Sequence, residues 1–347
     1  MLDFFHQGLD SLDPAVAGLI RYESERQSRK LILIPSESQA PVAVREALGS
    51  VFQNIYAEGY PDPGIHGASQ QAILDYEPQL ASYRRFSDRR YYKGVEYVNV
   101  LEALARRRAA EAFATEAVAP DEIWANVQPL SGSPANSAVY AALVPPGSTV
   151  MGMDLLHGGH LTHGSPANRS GKLYKIVSYG IDQETERLDY DLVEQLARQH
   201  TPKMIIAGYT SYPWVPDWKR FRQIADAVGA FLLADISHIA GIVAAGVVQS
   251  PLGYAHVISF TTHKTLYGPR AACILTTDKK IAAKIDAAVF PGEQGGPHVN
   301  AIAGMAVAFK LARSPEFAAL QRQVVANALD LAGALEQHGL RIPYGGT

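Results

Sequence analysis

The residues that invite chemistry lie between positions 231 and 270, FLLADISHIAGIVAAGVVQSPLGYAHVISFTTHKTLYGPR. An acid, Asp235, ends the apolar run FLLAD, with His238 three residues on. Thr261, Thr262, His263 and Lys264 end a second apolar run, HVISF. A carboxylate and an amine from neighbouring strands can hold opposite ends of one flat heterocycle. Pyridoxal phosphate needs that pair, a lysine for its Schiff base and a carboxylate to keep its pyridinium nitrogen protonated. Each residue alone has an ordinary reading. A single lysine is usually a solvated surface charge, and an aspartate ending a strand is at least as often the N-cap of the next helix. Here no Asp, Glu, Lys or Arg stands between 236 and 263. A charge beside a dry core must be paired or put to use.

The elements that must position these groups read as strand, helix, strand. Continuous Leu, Ile and Val runs of this length suit a parallel sheet buried on both faces. In such sheets ligands sit outside the carboxyl ends of the strands, which places Asp235 and Lys264 at one crevice. The alternation extends on both sides. EIWANVQP, STVMGMD, LYKIVSYGI, KMIIAGYT and AACILTT read as further strands, and GSPANSAVYAALVP, DYDLVEQLARQH and DWKRFRQIADAVGA as helices. LILIPSESQAP, from residue 31, reads as an apolar strand broken by Pro35, and LRIPYGGT as the start of another. Residues 1–30 read as a helical arm, capped by Ser11 or Asp13 with Pro14 in the first turn. Its charged face requires it to dock on something, a second subunit being one choice. PDPGIHGASQ is a run of breakers.

Three smaller constellations have two readings each. Ser131-Gly132-Ser133 before a helix is either a plain N-cap or a phosphate cup at the helix's positive end. His157, His160 and His163 are evenly spaced in HGGHLTHG, but no carboxylate or cysteine lies within that motif, which argues against a metal. One imidazole stacked on a cofactor ring is the better use. PGEQGGP, at 291–297, is a domain connector on composition alone.

Composition narrows the class. The chain has 347 residues, 47% of them hydrophobic, which gives ample core for one large α/β domain with attachments. A net charge of −3, from 31 basic and 34 acidic side chains, points to neither nucleic acid nor an anionic membrane surface. Cys273, the single cysteine, sits in an apolar run and reads as core. With no signal peptide or spanning segment in the reading, a cytoplasmic protein is expected.

Taken together, NIYAEGYP, RYYKGVEYV, NVQPLSGSPANSAVY, HGGHLTHG, DISHIAG, TTHKTLYGPR and FPGEQGGP are similar to the motifs of serine hydroxymethyltransferases, in that family's order. The resemblance implies a fold-type I pyridoxal phosphate transferase: α/β, a mostly parallel seven-stranded sheet with helices on both faces. It further implies residues 31–290 as the cofactor-binding large domain, with an insertion at 62–88. Residues 291–347 become connecting helices and the start of a C-terminal domain. The implied reaction moves the hydroxymethyl carbon of L-serine reversibly to tetrahydrofolate, giving glycine and methylene-tetrahydrofolate, in a homodimer with shared active sites.

By resemblance, Lys264 carries the cofactor, Asp235 pairs with its ring nitrogen, and His160 stacks on its face. Ser131, Gly132, Ser133 and His263 surround the phosphate, with Gly295 and Gly296 from a partner subunit. His238 and Thr210 bond the phenolic side or the substrate. Ser36 lies by the substrate. Tyr56, Glu58 and Tyr92 are cross-subunit residues, with Glu58 handling protons near the serine hydroxyl and folate. Arg270 neutralises charge near the lysine, and Thr261 guards it. Leu155, Gly159 and Leu161 match pterin contacts. Departures exist: Ser36-Glu37-Ser38 stands for SEN and DISH for DMAH. About 27 residues separate Pro61 from Arg89, where most members have few, and a lid or interface flap is the expected role. The family's C-terminal domain, which supplies an arginine for the substrate carboxylate, is not in the sequence. The rival readings are a β-hydroxy amino acid aldolase, an α-methylserine hydroxymethyltransferase, or a silent folate-binding scaffold.

Overall fold

The structure, a computed structural model, describes residues 3–86 and 89–347. Two compact units are present, one ending at Glu37 and one spanning Ser38–Thr347. The first consists of two helices, Leu9–Leu12 and Pro14–Arg29, the second capped by Asp13, whose carboxylate accepts from Val16 N at 3.1 Å. Leu31, Leu33 and Ile34 do not form the expected strand and stay exposed. Pro35 removes a donor, and Glu37 N donates to Ile34 O at 2.9 Å, closing a turn where a strand would continue.

The second unit is built on seven strands: β1 (Trp124–Asn126), β2 (Thr149–Met153), β3 (Lys175–Tyr179), β4 (Met204–Ala207), β5 (Phe231–Asp235), β6 (Val257–Thr261) and β7 (Ala272–Thr276). Their order is β1-β7-β6-β5-β4-β2-β3. Only β7 runs against its neighbours; the pairs β2–β3, β2–β4, β4–β5 and β5–β6 are parallel. Successive side chains of a strand point to opposite faces, and the core divides accordingly. Leu232, Ala234, Ile258 and Phe260 join one apolar cluster, Leu233, Val257, Ile274 and Met204 the other. Helices Glu96–Phe113, Tyr190–His200, Trp218–Val228 and Val299–Ala312 contribute to the first, Gly132–Leu143 and Lys279–Ala287 to the second. The sheet is therefore covered on both faces, and its near-continuous apolar strands follow from that double burial. Cys273 lies buried in β7, where burial pushes its thiol well up, so it packs rather than reacts. The final residues form a short 3-10 turn, Pro343–Gly345, in place of the strand expected at LRIPYGGT. Among the described residues, no helix is long and apolar enough to cross a membrane.

The breaker-rich stretch after Tyr60 is ordered by local caps. Asp62 accepts from Gly64 N to start Pro63–Ile65, and Ser69 accepts from Ala72 N to start Gln70–Ile73. A helix, Tyr76–Phe86, follows. The stretch leaves and returns at one point, because Tyr91 N donates to Glu58 O at 3.1 Å. Arg90, its side chain wholly buried, clamps that point. Its guanidinium donates to Ala57 O at 2.9 Å and Gly59 O at 2.8 Å, the carbonyls on either side of Glu58. It also donates to Asn99 Oδ1 and Glu102 Oε2, each at 2.7 Å. Gly59 takes φ +106°, and a Cβ there would stand 3.1 Å from Arg90 Cα. Only glycine combines that backbone with that approach.

Candidate functional site

At the carboxyl ends of β4, β5 and β6 lies a cavity of about 220 Å³. Asp235 and Lys264 both line it, as do Ser131, Gly132, Ser133, His160, Thr210, His238, Thr261 and His263. The parallel pairing of β5 with β6 sets Asp235 level with Ser259, so the chain after Thr261 passes the same mouth. The pair read from sequence thus meets in one space.

Asp235 is buried and held from three elements. Asn136, in helix Gly132–Leu143, donates from Nδ2 to Asp235 Oδ2 at 2.9 Å. Ser237 donates to Oδ1 from its hydroxyl at 2.6 Å and its backbone at 3.1 Å. His163 Nδ1 accepts from His160 N at 3.3 Å, so its Nε2 carries the proton and donates to Asp235 Oδ2 at 3.0 Å. Burial is the largest influence and opposes ionisation. The bonds from His163, Ser237 and Asn136 together outweigh it, holding the carboxyl well below the usual range. A fixed anion therefore faces the cavity. Asn136 also donates to Thr162 Oγ1 at 2.9 Å, and Thr162 Oγ1 bonds His160 Nδ1 at 2.7 Å. Because His160 Nδ1 also accepts from Thr162 N at 3.2 Å, the hydroxyl is the donor there, which fixes the ring that stands in the cavity wall. Ser259 completes the chain by donating to Asn136 Oδ1 at 2.7 Å.

Lys264 has its ammonium destabilised, chiefly by burial, with Asp235 opposing and Arg270 adding. That leaves more of the free amine than an exposed lysine would have. Ser131 occupies the N-cap position of the 132–143 helix, yet its hydroxyl caps nothing. Ser131, Gly132 and Ser133 line the cavity at this helix's N-terminal end, the end that favours an anion. A Cβ on Gly132 would stand 2.7 Å from Thr261 Cγ2, so backbone alone fits there. Thr210 Oγ1, Thr261 Oγ1 and His263 Nδ1 are buried without a hydrogen-bond partner. Three orphaned polar atoms around one cavity are costly unless something polar enters. Ser38 donates to His263 O at 2.8 Å and so steadies the segment leading to Lys264.

His238 and His263 are each pulled down to about 4, from an ordinary 6.5. Burial is the main cause for both; Lys264 adds for His238, and Arg270 then Lys264 for His263. Both are neutral at pH 7. Between pH 4 and 6.5 the unfolded chain binds more protons at these positions than the folded one, so stability rises with pH there. We expect the unfolding free energy of the cofactor-free chain to fall as pH drops from 6.5 toward 4, and His238→Asn to flatten that slope. Denaturant titrations across the interval check this; an undiminished slope in His238→Asn would contradict it.

Other expected residues gather elsewhere. Tyr56 and Tyr92 pack edge to face, with ring centroids 5.3 Å apart. Glu58 lies against Gly295 and Gly296, and Tyr56 against Gly296. None of these five lines the 220 Å³ cavity. Arg270 is exposed beside it. Leu155 and Leu161 are exposed in two short turns that flank a buried Gly159. Ser36 belongs to the N-terminal unit. Asn136, His163 in its role toward Asp235, and Ser237 were not singled out in the sequence. The one available signal was Asn136, an amide on a helix face otherwise made of Ala135, Ala138, Val139 and Tyr140. Among the described residues, no group of three or more His, Cys, Asp or Glu is placed to hold a metal.

The family model described as serine hydroxymethyltransferase matches this chain over residues 9–87 and 82–347.

Proposed function

The chain belongs to the serine hydroxymethyltransferase family, and from that premise we propose that it moves the hydroxymethyl carbon of L-serine to tetrahydrofolate and back. The family's cofactor is pyridoxal phosphate, which when bound supplies an electron sink for the carbon whose bond is broken. The single observation that carries the reading is a shared wall. Asp235 and Lys264 line one cavity together with three buried, unpartnered polar atoms.

In this reading Asp235 holds the ring nitrogen, and Lys264 is the covalent anchor. An anion fixed by three hydrogen-bond partners stabilises a proton on a ring nitrogen facing it. Ser131, Ser133, the first amides of the 132–143 helix, and His263 receive the phosphate. His160, held by Thr162, lies against the ring face. His238, neutral at pH 7, and Thr210 take the phenolic side or the substrate. Thr261 fills the wall beside Lys264, and Arg270 biases charge there. Leu155, Gly159 and Leu161 line the approach of the pterin. Tyr56, Glu58, Tyr92, Gly295 and Gly296, none of which lines its own chain's cavity, serve the cavity of a second copy in a homodimer. Glu58 then exchanges a proton with the serine hydroxyl or folate, its place kept by Arg90.

Serine turnover with and without tetrahydrofolate tests the reading. We expect glycine formation from L-serine to rise at least about tenfold when tetrahydrofolate is added. Equal rates in both, with faster cleavage of β-hydroxy amino acids such as phenylserine, would assign an aldolase instead.

A further inference from the structure

Lys264 stands in a stretch that is neither helix nor strand, between β6, which ends at Thr261, and β7, which begins at Ala272. Backbone outside a ladder or helix must find other partners for its carbonyls. Three consecutive ones are taken here. His263 O accepts from Ser38 Oγ at 2.8 Å, Lys264 O from Tyr267 N at 3.0 Å, and Thr265 O from Gln321 Nε2 at 2.8 Å. The Thr265 side chain is held as well, accepting from Gly241 N at 2.9 Å and donating to His238 O at 3.3 Å. A Cβ on Gly241 would stand 2.1 Å from Thr265 O and 3.0 Å from Gln321 Nε2. The carbonyl and its donor are thus packed closely over bare backbone.

Gln321 is the unexpected member of this set. It belongs to the helix Pro315–Gln337 and lies 56 residues beyond Thr265. Of that helix's 23 residues, the buried ones are Phe317 and Gln321, four apart and so on one face. Packing asks for an apolar side chain at such a position, yet an amide stands there, 0% exposed. Its Oε1 is buried without a partner. A buried acceptor left unmet costs free energy. The bond that offsets this cost runs from Nε2 to the residue after Lys264.

We propose that Gln321 is a positioning residue for Lys264: by fixing the Thr265 carbonyl from a distant helix, it sets where the Lys264 amine stands when it takes the cofactor. The proposal rests on the reading that Lys264 is the cofactor's covalent anchor. Forming a covalent bond demands closer alignment than holding a phosphate or a ring, and a misplacement of about 1 Å can cost on the order of 10²-fold. Loosening Thr265 therefore weakens the covalent step and spares the rest of the site.

The test compares pyridoxal 5'-phosphate, whose aldehyde can bond to the lysine, with pyridoxamine 5'-phosphate, which cannot. Absorbance and fluorescence titrations of the full chain give both dissociation constants without reference to turnover. In the parent, the aldehyde form should bind the tighter and be recovered on Lys264 after borohydride reduction. Gln321→Met, similar in length but without the donor, should weaken the aldehyde form at least about tenfold and pyridoxamine phosphate less than about twofold. In a Lys264→Ala background the same change should move the aldehyde form less than about twofold, because the residue it acts through is gone. Gln323→Met, at an exposed position of the same helix, should change neither constant. If Gln321→Met does not fold, Gln321→Asn, whose amide falls short of the carbonyl, is read by the same ratio. Equal weakening of both ligands would make Gln321 a packing residue and overturn the proposal. Unchanged binding of both, or a full effect in Lys264→Ala, would overturn it too. A parent that carries no cofactor on Lys264 would overturn the anchor reading itself, and the proposal with it.

Discussion

Lys264→Ala is expected to lose serine-to-glycine turnover by on the order of 10³-fold or more while keeping the fold. The size follows from the role, because removing a group that forms a covalent bond removes a whole route, not one contact. The retained fold follows from position. Lys264 stands after β6, outside the apolar clusters of the sheet, so alanine leaves no cavity in the core. Steady-state kinetics and circular dichroism on the same preparation check both halves. Turnover within a few-fold of the parent, in a folded variant, would remove Lys264 from the reaction. A variant that unfolds would instead make it structural.

The second large effect concerns stability and lies away from the cavity. Glu102 is wholly buried and is shared by Arg90 at 2.7 Å, Arg106 at 3.1 Å, and Gln128 Nε2 at 3.0 Å. Truncating it to leucine leaves Arg90 buried without its counter-charge. Breaking a buried pair from one side costs about 3–5 kcal/mol. Glu102→Leu should therefore lower the unfolding free energy by that amount, read as a lower denaturant midpoint at unchanged slope. Arg90→Leu combined with Glu102→Leu should cost less than the two single changes added, because no lone charge then remains at that end. A loss below about 1 kcal/mol for Glu102→Leu would contradict this account of the network. Arg90→Leu, in addition, removes the donor to the carbonyls of Ala57 and Gly59, so Glu58 loses its fixed place in that variant.

How much of this could be read from sequence divides along a physical line. The strand–helix–strand at 231–261 was legible because two-sided burial writes itself as unbroken apolar runs. Asp235 and Lys264 were legible because a charge at the end of such a run is expensive. The partners of Asp235 were not, since Asn136, His163 and Ser237 come from three segments whose meeting depends on strand order. His163 stood among three evenly spaced histidines, and spacing along a loop says nothing about which ring turns inward. Arg90 and Glu102 read as members of a charged segment and a helix of strong formers, faces that are usually solvated; their burial is a tertiary event. The error at Leu31–Ile34 has the same root. An apolar run becomes a strand only where a neighbour's hydrogen bonds are open to it, and here Ile34 accepts from Glu37 N in a turn instead. The family motifs, in contrast, run from 54 to 297, inside the 9–347 that the family model matches.

The account rests on Asp235 and Lys264 gripping one cofactor. Borohydride reduction of the protein after incubation with pyridoxal 5'-phosphate, followed by peptide mapping, tests this directly. We expect the reduced cofactor on Lys264 alone in the parent, and its yield at limiting cofactor to fall at least about tenfold in Asp235→Ala. Label spread over surface lysines, or the same yield on Lys264 without Asp235, would contradict it.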